Sequence, residues 1–325
     1  MLKLKIYLLL FALSTVLLSC MDFYFENKNP DLQLSAIPRK DSAEQRFIVL
    51  SDWGFNGGLD QKKVAEAMVF ISEQAGLNFI VTAGDNFQYS GVPSSTDTLW
   101  KLNYENVYND SALNVTWYPV LGNHDHYGNT QAEIDYSTLN PKWHMPTAYY
   151  SFKKSVGNND SILFVMLDTQ SLVEEYALHP DSSEFDSIPQ YKWLKNSLKN
   201  NTTKWTIVVG HHTLYSASTF HGDTPEIKAM LKPLLDKYKT DFYICGHDHH
   251  FEHARDIANY TDYIVTGTGG YVRPIGSNEH TVFSISKTGF SYFIAKPNSL
   301  KMFFVGSDKK LIYTFEKKKL PETHR

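Results

Sequence analysis

Short apolar runs recur along this chain, and each ends within a few residues of an acidic, amide or imidazole side chain, usually beside glycine. Arg46–Leu50 (RFIVL) leads into Ser51-Asp52-Trp53-Gly54, and Asn78–Thr82 (NFIVT) into Gly84-Asp85-Asn86. Trp117–Leu121 leads into Gly122-Asn123-His124-Asp125, and Ser161–Leu167 into Asp168. Lys204–Val209 leads into Gly210-His211-His212, and Asp241–Cys245 into Gly246-His247-Asp248-His249. Such runs, rich in Val, Ile and Phe and bounded by turn formers, predict buried strands. Between them the period changes. Leu59–Ala75 carries Val64, Ala67, Met68, Ile71 and Ala75 at helical spacing and is closed by Gly76. Gln190–Leu198 and Pro225–Tyr238 also read as helices, with Pro225 suited to a first turn. Beyond Tyr260 the pattern turns β-rich, through Tyr263–Thr266, Thr281–Ser286, Phe290–Ala295, Leu300–Val305 and Leu311–Phe315. No repeat or linker interrupts this region. The pattern predicts one α/β domain: two stacked mixed β-sheets flanked by helices.

The amino terminus obeys a different rule. Lys3 and Lys5 precede an uncharged apolar run, Ile6–Leu18. The run falls short of the roughly 20 residues that span a bilayer and suits the apolar region of a secretory signal. It ends Leu17-Leu18-Ser19-Cys20, which resembles a bacterial lipobox. Residues 1–20 therefore read as a lipoprotein signal with Cys20 as the diacylated anchor; ordinary signal cleavage nearby is the alternative. Residues 21–45, polar with Pro30 and Pro38, read as a tether, and residues 46–320 as the domain. The expected location is the periplasm or cell exterior, with membrane contact only through the lipid, or secretion if Cys20 is not acylated.

Composition narrows the chemistry. The net charge of −4 becomes more negative once Lys3 and Lys5 are removed, which argues against a general nucleic-acid binder. The 2 cysteines, Cys20 and Cys245, exclude a disulfide scaffold and a thiolate zinc finger. The 13 histidines exceed what packing asks for, so their positions carry information. Any one Gly-Asp or Gly-His pair alone reads as a turn. Asp52, Asp85, Asn123 with His124, His211, and His247 with His249 form an ordered set on five strand ends. The carboxyl ends of strands in α/β sheets are where ligand sites form. Mixed carboxylate and imidazole donors suit iron, zinc or manganese better than calcium, and the set suits a dinuclear centre acting on phosphate esters. Cys245, closing an apolar run, reads as a buried structural residue.

These motifs resemble the calcineurin-like metallophosphoesterases, and within them the small tartrate-resistant purple acid phosphatases. Asp52-Trp53-Gly54, Gly84-Asp85-Asn86-Phe87, Gly122-Asn123-His124-Asp125-His126, Gly210-His211 and Cys245-Gly246-His247-Asp248-His249 carry the likeness, with Trp143, Met166-Leu167-Asp168-Thr169 and Trp193-Leu194 between them. The resemblance implies that Asp52 and His249 hold a first metal, that Asp85 bridges, and that Asn123, His211 and His247 hold a second. It implies a metal-bound hydroxide nucleophile and catalytic roles for His124, with Asp125 orienting its ring, and for His221. His212, His250 and His253 are expected at supporting or surface positions, and the acidic segment Glu174–Ile188 as an exposed loop near the site. The family's tyrosine ligand, three residues after the bridging aspartate, is replaced by Gln88, followed by Tyr89. Without that phenolate, a divalent first metal and little colour are expected. The implied cofactor is two metal ions, iron with zinc, manganese or a second iron. The implied partners are small phosphate esters, nucleotides or phosphoproteins, and the chain is expected to act as a monomer. A phosphodiesterase or nucleotidase, or an inactive membrane-attached binding protein, are the alternatives. The protein Ser/Thr phosphatase run Gly-Asp-X-Val-Asp-Arg-Gly does not follow Gly84.

Overall fold

The computed structural model describes residues 37–38, 44–157 and 159–319. The signal, the Cys20 anchor and most of the tether lie outside the described residues. No described helix is long and apolar enough to cross a membrane.

Two mixed sheets form the centre, as the apolar pattern predicts. The first joins β1 (Gln45–Leu50), β2 (Phe79–Ala83) and β3 (Thr116–Val120) to three carboxy-terminal strands, β11 (Gly289–Ala295), β12 (Ser299–Gly306) and β13 (Leu311–Lys318), in the order β13-β12-β11-β1-β2-β3. The second contains β4 (Tyr150–Val156), β5 (Asp160–Met166), β6 (Trp205–Val209), β7 (Phe242–Cys245), β8 (Phe251–Arg255), β9 (Asp262–Thr266) and β10 (Thr281–Ile285), in the order β10-β8-β9-β7-β6-β5-β4. Pairings β1–β2, β2–β3, β5–β6, β6–β7 and β7–β9 are parallel. Strands buried on both faces need no alternation, which is why the β1, β2, β6 and β7 runs are continuously apolar.

Phenylalanines lock the sheets together. Phe47 and Phe79 of the first sheet meet Phe164 of the second edge-on at 5.2 and 5.4 Å between ring centres, and Phe293 meets Phe242 at 6.0 Å. Edge-to-face contacts of this kind add about 0.5–1.5 kcal/mol each beyond area burial. The outer face of the second sheet is covered by α3 (Thr169–Leu178), α4 (Pro189–Lys199) and α5 (Pro225–Lys237), whose Leu172, Leu194 and Leu231 pack with Val165, Val208 and Tyr243. The first sheet carries α1 (Leu59–Ala75), which buries Val64, Ala67, Met68 and Ile71.

Three parts differ from the sequence expectation. Strand β4 is an edge strand whose exposed positions include Ser151, Lys153 and Ser155, so its pattern is too polar to read as core. Strand β8 buries Glu252 and His253 because each has an internal partner. The segment expected as a loop over Glu174–Ile188 is partly helical: α3 runs to Leu178, and a 3-10 turn spans Ser182–Ser187. A short helix, α2 (Thr130–Tyr136), follows the one-turn helix Asp125–Tyr127.

Candidate metal centre

Five strand ends deliver donors to one edge. Asp52 follows β1, Asp85 follows β2, Asn123 follows β3, His211 follows β6 and His247 follows β7. The turns are tight enough to force unusual backbone: Asp52, Asp85 and His247 have φ of 53, 50 and 68°. Non-glycine residues rarely occupy that region, and strain of about 1–3 kcal/mol per residue is tolerated mainly at functional sites. Gly84 takes φ 89°, and a Cβ there would lie 2.6 Å from His211 Nδ1, so only glycine lets β2 approach the imidazole.

The donors converge. Oxygen or nitrogen atoms of Asp52, Asp85 and His211 lie within 4.8 Å of one another. Asn123 Oδ1 is 3.0 Å from both His211 Nε2 and His247 Nδ1. His249 Nε2 stands 3.4 Å from Asp52 Oδ1, and His211 Nε2 stands 3.4 Å from Asp85 Oδ1. The positions implied for six ligands are thus brought together.

Their electrostatics fit cations. His211 Nδ1 lies 2.9 Å from the Ala83 carbonyl, which only accepts, so Nδ1 carries a proton, and Nε2 lies 3.0 Å from Asn123 Oδ1. Asp52 Oδ1, Gln88 Oε1 and His249 Nδ1 are buried without a hydrogen-bond partner. Burial pushes the Asp85 carboxyl well above the usual range, partly offset by His211. Burial disfavours the His211 cation, but Asp85 and Asp52 outweigh it and hold its pKa above the ordinary value. Burial and neighbouring imidazoles push His247 well down, and burial also lowers His249 despite Asp52. Neutral rings are the form that binds metal, and His247 and His249 are shifted toward it. The residues therefore fit a pair of metal ions.

The loops are braced by their own side chains. Asp125 is fully buried and does not orient the His124 ring as the sequence suggests. Its carboxylate accepts from the main-chain N–H groups of Asn86 (3.1 Å), Phe87 (2.9 Å) and Gly122 (2.8 Å), tying the loop after β2 to the loop after β3. The His124 ring instead meets the Tyr89 carbonyl at 3.3 Å through Nδ1, and its main-chain N–H donates to Asp85 Oδ1 at 3.0 Å. Asp168 is not among the ligand candidates: it caps α3 at the Ser171 N–H and meets His126 at 2.9 Å. Thr169 Oγ1 accepts from the main-chain N–H groups of His211 and His212, both at 3.1 Å. His212, His250 and His253 are all buried, none at the surface.

His221 belongs to the cluster, its ring 4.1 Å from that of His247. Gln88 occupies the missing tyrosine position with its side chain buried. Tyr89 is 62% exposed and packs edge-on against Phe55, away from a ligand role. One residue escaped the sequence reading: Arg273, whose Nη1 lies 3.3 Å from His221 Nε2. Its signal was present, because β9 is followed by Gly267-Thr268-Gly269-Gly270, a sixth glycine-rich strand end. Cys245 is buried, its thiol pushed well up by burial, which leaves it inert.

Residues 45–251 match the calcineurin-like phosphoesterase family. The chain belongs to that family. Tartrate-resistant acid phosphatase type 5 of Oryctolagus cuniculus is 30% identical over 302 residues, covering 85% of this chain and 91% of the relative. Purple acid phosphatase 17 of Arabidopsis thaliana is 32% identical over 265 residues, 77% of either chain. A solved structure described as GAP50, the anchor in the inner membrane complex of Plasmodium, matches with a TM-score of 0.76 at 27% identity, covering 86% of this chain and 90% of that one. A purple acid phosphatase from yellow lupin seeds shares the fold at a TM-score of 0.66 and 16% identity, over 86% of this chain and 55% of that one. The likeness to tartrate-resistant and purple acid phosphatases read from the motifs is borne out, and membership in the phosphoesterase family together with the donor cluster supports a dinuclear-metal phosphoesterase.

Proposed function

We propose that the chain is a metal-dependent phosphomonoesterase of the acid phosphatase type, acting outside the cytoplasm on small phosphate esters. The observation that carries this reading is the convergence of Asp52, Asp85, Asn123, His211, His247 and His249 around unpartnered buried acceptors, with His124 and His221 beside them. Asp52 and His249 would hold one ion, Asp85 both, and Asn123, His211 and His247 the other. When bound, such a pair supplies an activated water and neutralises phosphate charge.

The protein supplies position and protons. The Ala83 carbonyl sets the His211 tautomer, and Asp52 Oδ2 accepts the His247 main-chain N–H at 3.0 Å. With Nδ1 fixed on the Tyr89 carbonyl, His124 keeps Nε2 for the substrate side, where a protonated ring can donate to the leaving alkoxide. His221 is the second such donor. Asp125 acts as a positioning residue through the Asp85 loop. Gln88 supplies no phenolate, so the first ion is divalent and the protein colourless.

The test is elemental analysis after reconstitution with iron, manganese or zinc, paired with hydrolysis of p-nitrophenyl phosphate and its bis ester. Monoester turnover faster than diester turnover is the expected result; the reverse replaces it with a phosphodiesterase. Gln88→Tyr loaded with iron should gain a visible tyrosinate band that the parent lacks. A parent that already shows a strong band would falsify the divalent-metal reading. The likeness to the GAP50 anchor, together with Gln88, favours a second reading, a binding protein without activity; no turnover with any metal in folded protein would establish it. Lipid attachment at Cys20 predicts incorporation of labelled fatty acid that Cys20→Ala abolishes.

A further inference from the structure

We propose that Arg273, seated between Phe220 and His221, forms an anion subsite beside the metal centre that receives a second phosphate group, as in a diphosphate ligand. The Arg273 guanidinium lies 3.6 Å over the Phe220 ring and its Nη1 lies 3.3 Å from His221 Nε2. Its main-chain N–H donates to the His249 carbonyl at 2.9 Å, so the cation is fixed to the turn that carries a metal ligand.

Its partners set it apart. Arg46 faces Glu44 and the carbonyls of Pro38 and Ala75, and Arg255 lies 3.4 Å from Asp262. No carboxylate forms an ion pair with Arg273 among the described residues, and most of its five N–H donors have no protein acceptor there. Asp248 Oδ2 accepts from Ser216 Oγ at 2.6 Å and from the Gly222 N–H at 3.1 Å. These bonds hold the loop that carries Phe220 and His221. The Gly276 N–H donates to the Ala217 carbonyl at 3.2 Å, and Asn278 Nδ2 to the Ser216 carbonyl at 3.2 Å, tying that loop to the Arg273 segment. The cation is therefore held in place before a ligand arrives, and pre-organised arginine forks suit phosphate oxygens. Phe220 is 62% exposed, which its role as a platform for the guanidinium explains.

This inference rests on the phosphoesterase reading for the site of the first phosphoryl group. The test uses the full zinc-loaded chain, freed of excess metal and titrated calorimetrically with inorganic phosphate and with pyrophosphate. The parent should bind pyrophosphate more tightly than phosphate. Arg273→Gln should reduce that preference about tenfold or more, the worth of a charge-assisted hydrogen bond, and Arg273→Lys should restore part of it. Phe220→Leu, which removes the platform without touching the charge, should reduce it a few-fold. A ratio of the two affinities unchanged in Arg273→Gln, at unchanged metal content and thermal midpoint, overturns the subsite. If Arg273→Gln does not fold, Phe220→Leu decides the matter: an unchanged ratio overturns the subsite and a reduced one supports it. Turnover of p-nitrophenyl phosphate, measured on the same samples, separates the two proposals. Arginine-dependent pyrophosphate binding without turnover sustains the subsite and overturns the hydrolase; turnover with an arginine-independent ratio does the reverse.

Discussion

Two of the buried histidine and carboxylate clusters among the described residues are built on opposite accounts of charge. At the strand ends, Asp52 and Asp85 face imidazoles and an amide, and Asp52 Oδ1 has no hydrogen-bond partner. On β8, β9 and β13, Asp262 meets His253 Nε2 at 3.0 Å and Lys317 Nζ at 2.9 Å. Nearby Asp241 meets Lys319 Nζ at 2.8 Å, and His253 Nδ1 meets the Tyr313 hydroxyl at 2.8 Å. The second cluster carries its own cations and hydrogen bonds, so it is complete. The first leaves Asp52 Oδ1 without a hydrogen-bond partner and has no lysine or arginine paired with its carboxylates among the described residues. Burial is the leading influence on both Asp262 and Asp85, but His253 and Lys317 overcome it at Asp262 and lower its pKa, while Asp85 stays raised. The Asp85 and Asp262 carboxyls are thus shifted in opposite directions, although both lie among histidines.

Substitutions can break this distinction. The largest effect belongs to the open cluster in the metal-loaded protein: Asp85→Asn or His211→Ala should cut phosphatase turnover by about a thousandfold or more and lower bound metal, measured on the same samples. Metal should also raise the unfolding free energy of the parent by about 3–4 kcal/mol when its free concentration is 100–1,000 times its dissociation constant. That gain should be largely absent from Asp85→Asn. Retained turnover and metal in either variant would sink the dinuclear assignment.

Next comes the closed knot. Asp262→Asn strands Lys317 and His253 and should destabilise the protein by about 3–5 kcal/mol in denaturant unfolding, whether or not metal is present. A depressed carboxyl contributes stability above its unfolded value and loses it as pH falls through the folded one. The deficit should therefore be full at pH 6–7 and shrink only below the ordinary aspartate value of 3.8.

The smallest effect has the opposite sign. Without metal, Asp85→Asn removes a buried, poorly compensated carboxylate and still offers an oxygen to the His124 N–H. It should stabilise the apoprotein by about 1–2 kcal/mol near pH 7. A carboxyl with a raised folded pKa carries a full penalty above that value and loses it as pH falls from the folded value to the unfolded one, so the advantage of the Asp85→Asn variant should vanish in acid. An apoprotein weakened by Asp85→Asn would show that the two clusters do not differ in kind.

Much of this arrangement was legible because strand ends and glycines are local signals. The RFIVL and NFIVT runs could hardly be anything but buried strands, and their glycine-flanked Asp52 and Asp85 could turn sharply toward a shared edge. The edge strand β4 was not legible, since its lysines and serines face outward and dilute the apolar pattern. Nor was the division of labour between His124 and Asp125, adjacent in sequence but facing different partners: the Asp125 carboxylate faces main-chain donors from its own turn and from the turn after β2, a choice made by loop packing.

By itself, the amino-acid sequence determined the order of the apolar strands and of helices α1, α4 and α5, the donor types on five strand ends and the replacement of the family's tyrosine by Gln88. Periodicity and residue chemistry are properties of short segments, so no folded context is needed to read them. Tertiary structure alone decided which charges remain unbalanced. His253 and His211 both follow or lie on buried strands, yet one finds a carboxylate already shared with Lys317 and the other finds Asp85 among facing acceptors. Arg273, an ordinary residue in the chain, lies beside His221 only because two loops distant in sequence are hydrogen-bonded together. Electrostatic energy depends on distances through space, and those exist only once the sheets have packed.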